Sequence, residues 1–307
     1  MKNKFIHKSI LFICIAIVTS IQSQSLLDKL DKEFSNIVFD EIATFKTTRL
    51  GLMHSIETRK KGALQLSLYF RYWDTPNATG QKFLADEVST RYGLEYAFTD
   101  NFTFGLGYTN FDKIADGFLK YRLLKQKNKD KKGWFSLTLV QTLSHRKVEN
   151  TSGNLYQPST SSEDIYAFVT QALFARKFNP NLSIQIAPTF IHRASNSNSN
   201  DANNQFAIGF GGRHKITKHT SLVSEYNYVV NPVKSFDTYN TFMIGVNWEV
   251  SDLMLQFHLT NARNFAEDTF LTQTTNNFNF KDPNLHFGVN ATYIIHTKKK
   301  KIKEITD

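Results

Sequence analysis

The sequence predicts an all-β protein, an antiparallel transmembrane β-barrel of about twelve strands preceded by a short N-terminal segment. Three observations carry this expectation. Between residues 62 and 295, short runs alternate apolar with small or polar residues, as in Phe102-Thr103-Phe104-Gly105-Leu106-Gly107-Tyr108-Thr109 and Leu253-Met254-Leu255-Gln256-Phe257-His258-Leu259-Thr260. A period of two sends successive side chains to opposite faces of a strand, giving one greasy face and one small or polar face. The connectors between runs are alternately long and short, and the chain opens with an export leader. Together these are the dyad signature of an outer-membrane barrel.

The leader is read from Lys2, Lys4 and Lys8, an apolar run from Ile10 to Ile21, and Gln22-Ser23-Gln24-Ser25. A positive n-region, a short apolar core and small polar residues describe a secretory signal peptide over 1–24. A run of roughly a dozen residues is too short for a spanning helix, which needs about 20. The single cysteine, Cys14, lies in this leader behind the bulky Ile13, so no lipoprotein acylation is expected. A mature chain without cysteine has no disulfide, thiolate nucleophile or cysteine-ligated metal.

Residues 25–61 form a segment before the barrel. Leu26, Leu27, Leu30 and Phe34 suit one short amphipathic turn of helix. The remainder, through His54 and Glu57, either folds into the lumen as a plug or stays in the periplasm. The barrel itself spans 62–295. Strands are expected at about 62–73, 88–98, 102–109, 118–125, 134–143, 165–176, 182–193, 205–216, 221–229, 240–250, 253–261 and 284–295. The connectors after odd strands are long: 74–87, 110–117, 144–164, 194–204, 230–239 and 262–283. Those after even strands are tight except for a lysine-rich turn around 125–132. Short periplasmic turns, long external loops and both termini inside follow from an even strand number. Residues 296–307 form a basic periplasmic tail.

Alternation alone would also fit a soluble sandwich or a lipocalin-like barrel. A solvated second face would carry many Lys and Glu; here it carries Gly, Ser, Thr, Gln and Ala with sparse charges of both signs. That composition suits a narrow polar lumen. Leu64, Phe104, Leu106, Ile184, Phe210, Val246, Phe257 and Phe287 then face lipid, and an arginine should cost far more at Leu106 than at Gly107. Trp73, Trp134 and Trp248 fall at strand ends, where an aromatic girdle is expected. The net charge of +10 sits largely in the leader, connectors and tail. No basic stripe is interleaved with stacking aromatics, so no nucleic-acid partner is expected.

The stretch Thr44-Phe45-Lys46-Thr47-Thr48-Arg49-Leu50, then His54-Ser55-Ile56-Glu57 and Lys61-Gly62 entering the first strand, resembles the start of an uncharacterised outer-membrane β-barrel family (a domain of unknown function) of Gram-negative bacteria. The resemblance covers about 40–295. It implies an outer-membrane barrel and brings no established activity or functional residue.

Candidate site residues are the ionisable groups on the lumen face: Arg71, Arg91, Glu95, Lys120, Arg122, Arg213, Glu225, Glu249, His258 and His286. Arg213 and Glu225 are expected to meet across the 217–220 turn, and Arg91 to share a strand face with Glu95. His258 and His286 should fall nearly opposite each other, close enough for a shared metal or a pH-sensitive contact, although no third ligand is evident. Ser144 and His145 stand where an outer-membrane phospholipase would hold its nucleophile and base. As adjacent strand residues they point to opposite faces. Gly209-Phe210-Gly211-Gly212 has no following helix and reads as small lumen residues, not a phosphate loop.

These readings predict no enzyme activity, cofactor or metal. The partners expected are outer-membrane lipid and small solutes, with the oligomeric state open. The leading functional expectation is a narrow channel with weak anion preference, since the lumen residues hold more cationic than anionic groups. The alternative is a non-conducting barrel for surface binding, adhesion or envelope structure through its external loops.

Overall fold

The computed structural model describes residues 43–73, 85–127, 133–146, 165–194, 201–278 and 285–296. The expected signal peptide, the start of the N-terminal segment, the tail and most of the loop after the fifth strand lie outside these residues. Twelve strands close into one barrel, each paired with its sequence neighbours and the first with the last. In chain order they are β1 Ala63–Trp73, β2 Glu87–Ala97, β3 Phe102–Thr109, β4 Ile114–Leu124, β5 Ser136–Arg146, β6 Ile165–Lys177, β7 Leu182–Arg193, β8 Asn204–Lys215, β9 Thr220–Val229, β10 Thr241–Val250, β11 Leu253–Thr260 and β12 His286–His296. A short helix, α1 at Glu267–Thr272, lies between β11 and β12. The closing ladder is antiparallel, with Leu68 opposite Ala291. Closure leaves no sheet edge, which a hydrocarbon environment requires because it offers backbone groups no hydrogen-bond partner.

Strands run from eight residues in β3 to thirteen in β6, bracketing the roughly 9–11 tilted residues that cross a bilayer. Leu106, Ile184, Phe210, Val246, Phe257 and Phe287 are exposed on the outer face, with Leu64 and Phe104 half-exposed there. At the end of the barrel carrying the short turns, rings of Tyr96, Phe98, Phe102 and Tyr121 follow one another at 4.9, 5.8 and 6.4 Å between centroids. Trp134 and Trp248 are exposed at the same end. The Arg176 guanidinium lies 5.4 Å from the Trp134 ring, where a cation can also meet lipid headgroups.

Three expectations are corrected. Trp73 does not join the girdle. It shares parity with Arg71 and is buried inside the rim, 5.0 Å from the Phe111 ring. The connector expected at 110–117 is only 110–113, because Ile114-Ala115-Asp116-Gly117 continue the alternation as the start of β4. Gly107 is not a permissive lumen site. A Cβ there would lie 2.1 Å from Arg91 Nη2, so the missing side chain makes room for a buried guanidinium.

Unfolding of the refolded barrel in phospholipid should therefore show depth dependence, not a simple contrast between faces. Leu106→Arg, near mid-strand, is expected to cost about 2–4 kcal/mol, whereas Leu123→Arg, near the inner end of β4, should cost about 0–1 kcal/mol. Gly107→Ala should also destabilise, by about 1–3 kcal/mol of overpacking. Equal losses at positions 106 and 123 would contradict this placement.

Candidate functional site

The lumen is filled from both ends. Residues 43–61 enter at the short-turn end, reverse at Leu50-Gly51-Leu52-Met53 and return to start β1. The reversal is a small hairpin: Arg49 bridges His54, Leu50 N donates to Met53 O at 3.0 Å, and Ser55 N to Thr48 O at 2.9 Å. The base of the hairpin is tied to the β2–β3 turn, where Thr58 Oγ1 donates to Asp100 O at 2.6 Å and Asp100 Oδ1 accepts from Lys61 N at 2.8 Å. Leu50, Leu52, Met53 and Ile56 are buried with wall residues Val169, Leu173, Ala187 and Val223 in one apolar cluster. Gly209 and Gly211 on β8 leave room for the tip. A Cβ at Gly209 would lie 2.9 Å from Met53 Sδ, and one at Gly211 2.5 Å from Leu50 Cδ1.

The wall answers the hairpin's backbone with side chains. Glu225 accepts from Leu52 N at 3.1 Å and from Met53 N at 3.0 Å. Lys120 Nζ donates to the carbonyls of Thr48, Ser55 and Glu57 at 2.7, 3.1 and 3.3 Å. Gln185 accepts from Ile56 N at 3.0 Å and donates to His54 O at 2.7 Å. Gln256 donates to Leu50 O at 2.5 Å and Asn290 to Gly51 O at 3.3 Å. Nearer the mouth, Arg122 pairs with Glu57 at 2.9 Å and Lys46 with Glu249 at 3.1 Å. A backbone taken from water must have its donors and acceptors met, and here side chains on six strands meet them.

From the other end, the β11–β12 connector folds inward and buries α1. Ser144 Oγ donates to Asp268 Oδ1 at 2.8 Å, Arg193 donates to Asp268 O at 2.8 Å and to Thr272 Oγ1, and Thr241 Oγ1 donates to Phe270 O at 2.5 Å. Glu267 and Asp268 occupy the first turn, where the partial positive charge of a helix N-terminus favours anions.

The two fillers touch at one carboxylate. Arg49 Nη1 lies 2.7 Å and His54 Nε2 3.1 Å from Glu267 Oε1. Arg49 and Glu267 form an ion pair by distance; among the described residues neither Glu267 oxygen has an aligned hydrogen bond, and Arg49 Nη1 instead donates to Leu52 O at 2.9 Å. The Phe118 ring meets the His54 ring edge-on at 4.4 Å between centroids. Burial, with the nearby Arg49 and Lys120 charges, holds the His54 imidazole well below its ordinary range. Burial alone would raise the Glu267 carboxyl, but Arg49 and His54 outweigh it and hold it below the usual carboxylate range.

Arg71, Arg91, Glu95, Lys120, Arg213, Glu225, His258 and His286 all lie buried on the inner side, with Arg122 and Glu249 half-buried near the mouth. Their pairings differ from those expected. Arg91 grips Asp116, not Glu95; Asp116 belongs to β4, two strands on, and the guanidinium reaches it across Gly107 of β3. Arg213 sits opposite Val223 while Glu225 sits opposite Gly211, so the two are offset by two residues; Arg213 Nε donates to Ser221 Oγ at 3.2 Å. His258 and His286 are not opposite each other. His258 pairs with Gly288 and His286 with Thr260, and His286 Nε2 lies 2.8 Å from Asn276 Nδ2. Among the described residues no cluster of three His, Cys, Asp or Glu could hold a metal. Ser144 faces the lumen, while the His145 ring lies 4.7 Å from Tyr166 on the outside. Arg193, Asp116 and Glu267 were missed. Asp116 falls in what the sequence reads as a connector, and the inward fold of a long loop leaves no periodic signal.

A closed antiparallel barrel with a lipid-facing apolar band, aromatic rim and polar, filled lumen is an outer-membrane β-barrel protein. The family model of the membrane-bound beta barrel domain (DUF5777) matches residues 45–295, and the chain belongs to that family. The match begins at Phe45 and so takes in nearly the whole lumenal hairpin. Solved structures with a similar chain path include the KdgM porin, at TM-score 0.44 and 10% identity over 76% of this chain and 99% of that one. An outer-membrane channel from Pseudomonas putida F1 gives 0.43 and 14% over 78% and 98%. In vitro folded OmpT of Vibrio cholerae gives 0.38 and 13% over 76% and 96%. Comparison with curated proteins gives no significant match.

Acid should loosen the hairpin. Docked His54 titrates below its free value of 6.5 and docked Glu267 below its free value of 4.5, so the undocked state takes up protons first. Through these two groups docking weakens as pH falls below 6.5 and further below 4.5. The Arg49 and Lys120 side chains face His54, and their positive charge opposes its protonation. Protease cleavage within 43–61, followed in detergent from pH 8 to pH 4, should rise below pH 6.5, and His54→Phe should remove the upper part of that rise. Cleavage independent of pH would contradict the assignment.

Proposed function

We propose that the protein is a gated outer-membrane channel for small solutes, closed by the 43–61 hairpin and the inward-folded β11–β12 loop, with weak anion preference and no covalent chemistry of its own. One observation carries the reading: the wall charges Lys120 and Glu225 make their hydrogen bonds to the hairpin's backbone, not to each other. A permanently filled barrel is better served by an apolar wall, because burying charges costs desolvation that well-packed hydrophobes avoid. A wall of Lys, Glu, Gln, Asn and Thr remains compatible with water once the hairpin leaves. The filler is therefore read as removable.

The charge balance supports the anion preference. Among the described residues, the buried ionisable groups on the strands include six Arg or Lys (Arg71, Arg91, Lys120, Arg146, Arg193 and Arg213) against three Asp or Glu (Glu95, Asp116 and Glu225). Cationic linings favour anions, and pairing such as Arg91 with Asp116 limits this to a bias. The second reading, a non-conducting barrel acting through its external loops, is favoured by the filled lumen itself.

Planar-bilayer conductance separates the two. The full chain should be silent at neutral pH, and a variant lacking 43–61 but keeping α1 should conduct at least intermittently. In that variant a salt gradient should give a reversal potential of anion-selective sign, and Lys120→Ala and Arg122→Ala should each reduce it. Silence of both the full chain and the deleted form, with and without Glu267→Gln, would favour the non-conducting reading. Cation selectivity would overturn the anion preference.

A further inference from the structure

On the lumen face, β1, β12 and β11 set Arg71, Gly288 and His258 in one cross-strand row: Arg71 pairs with Gly288, and Gly288 with His258. On its other side Arg71 pairs with Ser89 of β2. Gly288 gives up its side-chain space to the imidazole, since a Cβ there would lie 2.0 Å from His258 Nε2. Arg71, His258 and Ser89 are all buried. Arg71 Nη1 donates to Phe70 O and Asn290 Oδ1, both at 3.1 Å, and the Phe265 ring of the outer loop lies 4.5 Å from the guanidinium carbon. Five polar atoms in this row remain without a hydrogen-bond partner among the described residues: Arg71 Nε and Nη2, both ring nitrogens of His258, and Ser89 Oγ.

Buried polar groups are ordinarily paired, and an unpaired guanidinium edge is among the least favourable exceptions. Nε and Nη2 share one edge of the guanidinium. Arg91 shows what that edge holds in the same barrel, because its Nε and Nη2 bind the two oxygens of Asp116. No carboxylate of the described residues pairs with Arg71 in this way. We propose that Arg71, His258 and Ser89 form a binding site for the carboxylate group of a small solute. The two carboxylate oxygens lie on Arg71 Nε and Nη2, and the Ser89 hydroxyl and one His258 N–H complete the shell. One fixed positive charge suits a monovalent carboxylate better than a doubly charged phosphate. The Phe265 ring covers the Arg71 guanidinium and the site belongs to the closed barrel, so the proposal does not rest on conduction.

The test follows the histidine ring resonances of the full-length protein in detergent while sodium formate replaces sodium chloride at constant ionic strength. The expected result is a saturable shift of the His258 signals, assigned by their loss in His258→Gln. Arg71→Gln should weaken this binding at least about tenfold, as should Arg71→Lys, which keeps a charge but loses the fork. If Arg71→Gln fails to fold, Arg71→Lys and Ser89→Ala carry the comparison. The proposal is overturned by no saturable shift in the unmodified protein, by an undiminished shift in Arg71→Lys, or by an equal response to inorganic phosphate. Conductance of the same variants reads the channel proposal separately.

Discussion

The structure depends on satisfying polar groups inside a closed, narrow lumen. Closing twelve strands removes every sheet edge but turns a face of Lys, Arg, Glu, Gln, Asn and Thr inward. These groups need partners wherever bulk water is displaced. The hairpin supplies them from its own backbone. Glu225 meets two of its N–H groups, while Lys120 meets three of its carbonyls from the other side of the lumen. The fit is steric as well, since Gly209 and Gly211 leave the space that Met53 and Leu50 fill.

The two fillers are energetically linked because they share Glu267. Arg49 and His54 approach from the hairpin, and Glu267 from the helix of the outer loop. Removing one partner of a buried pair strands the other charge in a poorly solvated place, which is strongly unfavourable. Displacing the outer loop thus weakens the docking of the hairpin, and the reverse holds by thermodynamic reciprocity. A perturbation at the long-loop end can in this way be felt at the short-turn end without motion of the barrel wall.

The barrel was legible in the sequence because its signal is local and periodic. A residue such as Leu106 or Phe257 declares its face by parity, and the strand positions follow to within a few residues. β4 was shortened because Asp116 in an otherwise plausible connector reads as a loop residue, although it is the partner of Arg91. Cross-strand pairings were less legible. An offset of two residues separates Arg213 from Glu225 and His258 from His286, and alternation is blind to shifts by an even number. The lumenal hairpin and α1 have no period to read. Their positions depend on contacts between residues as far apart as Arg49 and Glu267; the length of 25–61 left a plug as one of two alternatives, and glycines such as Gly211 have their reason in a distant side chain.

Site-resolved hydrogen exchange of the Leu52 and Met53 amides tests the central claim most directly, because both N–H groups end on Glu225 in the filled lumen. In the folded protein in detergent at neutral pH, both should exchange as slowly as the amides of the barrel strands, and Glu225→Ala should accelerate both without affecting those strands. Exchange of Leu52 and Met53 at the rate of an unstructured peptide, while the strand amides stay protected, would contradict it.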